Sequence, residues 1–219
     1  MRFLCKNLSM QIVVVTDETL KEELLAQMPE NSAAFHFINH IEEWPEDAPP
    51  EICIDLLFDG STERTAWLRQ KNCRLTIINA VLYTLDETAM QFVRINAWPG
   101  FLQRSIVEAA VLNDDLRTEA EQLFSSLGKS IEWVPDICGF ISTRIVATIV
   151  NEAFYSLDEQ ISSEQEIDTA MKLGTNYPFG PFEWSAKVGV KNIYNLLEKL
   201  SLQEPRYTPC KLLEKKALA

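Results

Sequence analysis

The stretch IVVVTDETLKEELL, residues 12–25, is the first place in the chain where residue types and spacing suggest chemistry. Four β-favouring apolar residues run into a polar turn and then into a helix-like pattern. A strand that feeds a helix in this way presents backbone N–H groups at the helix N-terminus, a ready seat for phosphate. The turn here reads Val15, Thr16, Asp17, Glu18, Thr19, Leu20 and holds no glycine; the first glycine of the chain is Gly60. Side chains in such a turn hold a diphosphate off the backbone. Asp17 and Glu18 also set two negative charges against it, each costing on the order of 1 kcal/mol or more at close range. Asp17 has a structural use instead, as a helix cap that favours the helix dipole. The turn therefore reads as a helix start with a carboxylate in the place of a phosphate.

The remaining reactive side chains are few. The only histidines are His36 and His40, in or just after an apolar run that reads as a second strand. They are expected to be ordinary surface or half-buried residues. Cys5, Cys53, Cys73, Cys138 and Cys210 are odd in number and none is spaced CxxC, so thiols in a reducing cytoplasm are expected and no metal site. Arg104 and Glu108 are polar in an apolar context; they make either a ligand pocket or a structural ion pair.

Composition narrows the classes. Hydrophobic residues make up 47% and charged residues 24% of 219 residues, the balance of a globular chain. No apolar run approaches the ~18 residues of a membrane span. The opening MRFLCKNLSMQIVVV lacks the unbroken apolar stretch and cleavage site of a signal peptide, and either Met1 or Met10 can serve as the start. A net charge of −12 argues against nucleic acid as a partner. Residues 1–59 hold twelve acidic residues against Arg2, Lys6 and Lys21, a surface that repels anionic cofactors.

The elements that must position these groups alternate. Strands are expected over residues 11–15, 35–38, 52–58, 75–78, 92–97 and 130–134. Helices are expected over 20–28, 65–71 and 115–127, the last closed by Gly128. Residues 105–112 fit strand and helix equally. WPEDAPP, residues 44–50, is a breaker cluster. Alternation of this kind implies an α/β domain with a parallel sheet and right-handed crossovers. After Pro135 the period changes. Ile141, Ile145, Val146, Ile149, Ala153, Phe154 and Leu157 predict one amphipathic helix over 140–157. Ser163 to Glu166 forms a capping box opening a helix through Met171, ended by Gly174. Pro178, Gly180 and Pro181 make a tight link, and helices follow over 182–188 and 190–200. The division falls near residue 135, giving domains 1–135 and 136–219.

Residues 134–184 carry a resemblance. Asp136, Gly139, Phe140 and Arg144 fit a D-x-x-G-F-x-x-x-R opening of a long helix; Glu152 and Ala153 follow on it. Ile167, Asp168, Ala170, Met171 and Gly174 fit I-D-x-A-M-x-x-G, and Pro178, Gly180 and Pro181 fit P-x-G-P. In these residues the chain resembles the 3-hydroxyacyl-CoA dehydrogenase family. The resemblance implies a Rossmann-type sheet domain followed by an all-α domain that mediates homodimerisation through the C-terminal helices. It implies oxidation of a 3-hydroxyacyl-CoA with hydride passed to NAD, which requires a glycine-rich turn, a histidine base oriented by a carboxylate, and oxyanion donors.

The positions equivalent to that machinery differ. The glycine-rich turn falls on Val15, Thr16, Asp17 and Glu18, and the ribose-binding acid on Asn39. Counting back from Glu108, matched to the orienting glutamate, the histidine position falls at Asn96. The N-T-S segment appears as Asn79, Ala80 and Val81, and the asparagine of the long helix as Thr143. A helical hairpin that helps hold coenzyme A is replaced by about a dozen residues. The expectation is a homologue without dinucleotide or catalytic machinery, cytoplasmic, binding no cofactor, with an acyl-CoA-like ligand as the partner the resemblance suggests. The alternative is an active NAD-dependent dehydrogenase with a reorganised site using Glu108 as base. Asn79, Trp98, Arg104 and Glu108 are the cleft residues in either case, with Trp184 and Phe182 as further candidates.

Overall fold

A computed structural model describes residues 12–29, 35–46, 50–88 and 91–219. Gln11 of the expected first strand, Cys5, the two candidate starts and residues 47–49 of the breaker cluster lie outside the described residues. Among the described residues seven strands form one sheet in the order β2-β1-β3-β4-β5-β6-β7. They are β1 (Ile12–Val15), β2 (Phe35–Ile38), β3 (Ile52–Asp55), β4 (Leu75–Asn79), β5 (Val93–Ile95), β6 (Ile106–Ala110) and β7 (Ser130–Trp133). β1 and β3 are buried throughout, as strands covered on both faces must be.

The sheet is not wholly parallel, contrary to the expectation from alternation. β5 and β6 pair antiparallel while every other neighbouring pair is parallel. This settles the ambiguous segment as a strand over Ile106–Ala110. Its short approach through residues 99–105 turns back directly, with no crossover helix to make it parallel. The turn matters for function, because it lays Glu108 beside the end of β5: Asn96 N donates to Glu108 O at 3.0 Å.

Helices α1 (Glu18–Leu25), α2 (Thr62–Lys71), α3 (Leu85–Thr88) and α4 (Arg117–Ser126) flank the sheet. Asp17 caps α1, accepting from Leu20 N at 2.8 Å, and Ser61 caps α2, accepting from Arg64 N at 3.1 Å. The helical half contributes α5 (Ser142–Asp158), α6 (Glu164–Thr175), α7 (Pro181–Val188), α8 (Val190–Ser201) and α9 (Lys211–Ala217). Two boundaries differ from the periodicity. α5 starts two residues late because Gly139 and Phe140 sit at φ +84° and +51°, outside the helical region. α6 runs past Gly174 and stops at Asn176, which is left-handed at φ +56°; Gly174 is an interior helical residue in open space.

The resembling residues have legible structural roles. Asp168, almost fully buried, caps α7 by accepting from Phe182 N (2.8 Å) and Glu183 N (3.2 Å). A Cβ on Gly180 would overlap the Asp168 side chain, so P-x-G-P and I-D-x-A-M are one packing unit. Gly139 N donates to Val81 O at 2.8 Å, tying the entry of α5 to the end of the sheet. Val81, Trp98, Phe101 and Ala110 of the sheet half share one apolar cluster with Phe140, Phe154, Trp184 and Leu196 of the helices.

Candidate functional site

The carboxyl end of β5, strand β6 and the start of α5 meet at a cleft. Its polar centre is three side chains. Asn96 follows β5 and is 2% exposed. Its Nδ2 donates to Glu108 Oε2 at 2.9 Å and to Ser142 Oγ at 3.2 Å. Ser142 donates to the same carboxylate twice, N to Oε1 at 2.9 Å and Oγ to Oε2 at 2.6 Å. Ser142 opens α5, and no side chain of α5's own N-cap residue, Ile141, caps that helix. Glu108 therefore reaches across from the sheet to satisfy the helix start, where a carboxylate also complements the dipole. Asn96 Oδ1 is buried without a hydrogen-bond partner, as is the hydroxyl of Thr143.

Arg104 and Glu108 do not form the ion pair that was one of their two readings; among the described residues Arg104 has no carboxylate within ion-pair distance. Its guanidinium lies over Phe101 (5.0 Å) and Trp184 (5.7 Å) instead. The chain reverses between β5 and β6 rather than coiling, so the spacing of four does not bring the two side chains together. Asn79 is consumed structurally: Nδ2 donates to Leu56 O (3.1 Å) and Ala97 O (3.2 Å), and Oδ1 accepts from Ala97 N (3.1 Å). It ties β3, β4 and the end of β5 together. Trp98 and Val81 are buried in the shared core. Asn79 and Trp98, expected in the cleft, are not among the residues lining its cavities.

Two cavities adjoin at the cleft. One, about 610 Å³, is lined by Asn96, Phe101, Arg104, Glu108, Glu132 and Ser142 with Ser105 and Ile106. The other is an apolar slot of about 250 Å³ between α5, α6 and α7, lined by Ile145, Val146, Ile149, Met171, Phe179 and Trp184 among others. Arg104 and Ser142 line both.

Two buried groups without a sequence signature hold the backbone of residues 100–104, which leads to Arg104. Glu23, on α1, accepts from Gly100 N with both oxygens (2.7 and 2.9 Å) and lies 3.5 Å from Lys187. Lys129 Nζ donates to Leu102 O (2.6 Å), Arg104 O (3.0 Å) and Glu23 O (3.3 Å). Burial pushes the Lys129 ammonium down to about 8, with the Glu23 charge pulling the other way. Neither role was findable by pattern, since Glu23 looks like an exposed helix residue and Lys129 follows a C-cap glycine.

At the β1–α1 turn Thr16 is buried and its hydroxyl donates to Asp17 O at 2.9 Å, while the Asp17 carboxylate occupies the helix N-terminus. His36 and His40 are exposed, near β2 and away from the cleft. Among the described residues no group of three metal-ligating side chains gathers, and no helix is long and apolar enough to cross a membrane.

The sheet topology and the cleft at its strand ends define a Rossmann-type protein with an appended helical domain. The comparisons make the class specific. Residues 139–219 match the family model of the 3-hydroxyacyl-CoA dehydrogenase C-terminal domain. The 3-hydroxyadipyl-CoA dehydrogenase of Escherichia coli K12 is 43% identical over 116 residues, 52% of this chain and 24% of that protein. The crystal structure of a 3-hydroxybutyryl-CoA dehydrogenase from E. coli K12 is similar at 36% identity and a TM-score of 0.57, over 65% of this chain and 31% of that one. A second, the PaaH1 enzyme of Ralstonia eutropha, agrees in fold at a TM-score of 0.72 and 20% identity, over 94% of this chain and 92% of that one. Over residues 139–219 the chain is similar to the C-terminal domain of the 3-hydroxyacyl-CoA dehydrogenase family. It matches only 24% to 37% of the length of the first two curated relatives.

Proposed function

We propose that this chain is a non-catalytic, dimeric member of the family that binds an acyl-CoA-like ligand between its sheet and its helices. The carrying observation is the Asn96–Glu108–Ser142 cluster. At the position equivalent to the family's general base stands an amide, which does not titrate in a useful range. The alternative base, Glu108, accepts three hydrogen bonds and caps a helix, so its oxygens are engaged rather than free for a substrate proton. The β1–α1 turn does not fit NAD: a carboxylate already takes the helix N-terminus that a pyrophosphate needs, and side chains replace the bare backbone. The ligand class rests on the relatives, which are named as dehydrogenases of 3-hydroxyacyl-CoA compounds.

The dimer is supported by the outer face of α5. Ile137, Ile141 and Ile145 are 36%, 47% and 53% exposed, and with Ile149 they line an open groove of about 610 Å³ beside Tyr207. Ile145 and Ile149 on α5 continue an apolar surface begun by Ile137 and Ile141 just ahead of the helix, more apolar than a solvated surface needs to be. A division near residue 135 and a reducing, cytoplasmic setting belong to the same reading; Cys53, Cys73, Cys138 and Cys210 are all free thiols.

Thermal shift and absorbance test the reading together. NADH is expected to leave Tm unchanged, and acetoacetyl-CoA to leave nicotinamide absorbance unchanged. Stabilisation by NADH with loss of that absorbance on adding acetoacetyl-CoA would overturn it in favour of an active enzyme. Light scattering at micromolar concentration is expected to give a dimer mass for the wild type and a monomer mass for Ile145→Asp; a monomeric wild type removes the dimer.

A further inference from the structure

Arg104 has an anchored backbone and, among the described residues, no carboxylate partner for its side chain. Its backbone oxygen is fixed by Lys129 Nζ at 3.0 Å, and two residues earlier Leu102 O is fixed by the same ammonium at 2.6 Å. Its guanidinium lies over Phe101 and Trp184 at 5.0 and 5.7 Å, an aromatic shelf that attracts the cation. In a chain with 32 acidic and 20 basic residues, an arginine with no carboxylate partner among the described residues has its charge available to an external anion.

The surroundings decide which anion. Arg104 lies at the junction of the two cavities. The polar cavity is lined by Glu108 and Glu132, which repel a negative charge. The slot on the other side is apolar, and Arg104 is the only charged residue lining it. Ser142, the other shared residue, already donates its hydroxyl to Glu108. The neighbouring cations are engaged: Lys187 lies 3.5 Å from Glu23, and Lys129 spends its donors on three carbonyls. A single guanidinium fork beside an apolar slot matches one carboxylate with an apolar body; a phosphate or diphosphate draws on several donors.

We propose that Arg104 recognises a free carboxylate and that the slot between α5, α6 and α7 takes the aliphatic or aryl body of that acid. This rests on the reading of the cleft as an acyl-ligand site and names what the ligand ends in there. The test is calorimetric titration of the full chain with octanoate, octanamide and octanoyl-CoA, repeated on Arg104→Gln and Arg104→Lys. Octanoate is expected to bind at least about tenfold more tightly than octanamide, a difference of about 1.4 kcal/mol. Arg104→Gln is expected to abolish that preference while leaving octanamide within about twofold, and Arg104→Lys to keep part of it. Arg104 is exposed, and matched melting curves check that the variants fold. Equal affinity of the wild type for acid and amide overturns the proposal without any variant, as does a preference that survives in Arg104→Gln. If octanamide and octanoyl-CoA bind but the acid gains nothing, carboxylate recognition falls and the acyl-ligand cleft stands; if none of the three binds, both fall.

Discussion

Asp136→Ala probes how the helical half is held to the sheet. Arg94, on β5, is fully buried. Its guanidinium reaches Asp136 Oδ1 at 3.0 Å, Tyr83 O at 2.8 Å and Ile137 O at 2.6 Å, and lies 4.1 Å from the centre of the Phe140 ring. The second oxygen of Asp136 accepts from Leu85 N at 2.8 Å and Asp86 N at 3.3 Å. Burial pushes the Arg94 pKa down and Asp136 pulls it back up. Removing the carboxylate strands the cation, and breaking a buried pair by deleting one partner costs about 3–5 kcal/mol. Two carbonyls still receive Arg94, so the lower end applies, about 3 kcal/mol, or roughly 6–12 °C in Tm for a chain of this size. The assay is urea unfolding followed by circular dichroism and tryptophan fluorescence. Asp136→Asn, which keeps an oxygen for Leu85 N but loses the charge, should cost less than the alanine variant. With Arg94→Met added, the double mutant should cost less than the two singles summed, a coupling above about 1.5 kcal/mol. A loss below about 1 kcal/mol for Asp136→Ala would refute the reasoning, because the buried cation would then have found water or another partner.

The remaining predictions are local. Lys129 titrates near 8 in the folded chain against ~10.4 unfolded. Between those values the unfolded chain holds the proton and the folded chain does not, so this group's contribution to stability is lowest below about pH 8 and rises as pH climbs through it. Lys129→Met should remove that rise, seen as the wild-type-minus-variant Tm difference increasing from pH 7 to pH 10; parallel profiles count against it. Gly180→Ala should destabilise by about 2 kcal/mol or more in urea, since a Cβ displaces the Asp168 cap of α7. Ser142→Ala removes the 2.6 Å bond to Glu108 and should cost about 1–2 kcal/mol, with an unchanged melting midpoint marking the bond as inconsequential.

What was legible in the sequence is what is decided within a few residues. Asp17 could be read as a cap because a cap and its N–H lie three residues apart. The Ser163 box formed for the same reason. The long helix was visible from its stripe, though not the two-residue delay, which depends on Gly139 and Phe140 adopting positive φ to meet Val81. Gly174 misled because glycine stops a helix only where a left-handed residue is wanted, and Asn176 supplies that here. Residues 105–112 were undecidable alone, since their strand identity comes from Arg94 and Ile95 across the ladder. Ser142, Lys129 and Glu23 were invisible as site residues because their partners lie 25 to 106 residues away in sequence: their roles exist only after the chain has folded.

The residues carrying the family resemblance and the residues carrying its chemistry behave differently here, and the reason is physical. Asp136 neutralises Arg94, Gly139 and Phe140 make the entry to α5, and Asp168 with Gly180 caps α7. Each of these would destabilise the fold if changed, whatever the cleft binds. The positions proposed as equivalent to base and phosphate turn carry groups that satisfy one another: Asn96 and Ser142 on Glu108, and Asp17 on its own helix. A catalytic group needs an open valence, a lone pair or proton left for the substrate, and that openness is a cost to stability that selection for the reaction alone would maintain. With those valences closed, matching the family's spacing measures the demands of packing. Family spacing alone does not settle chemistry, and among the described residues Arg104 is the charged donor at the cleft without an ion-pair partner, the group on which the proposed ligand site rests.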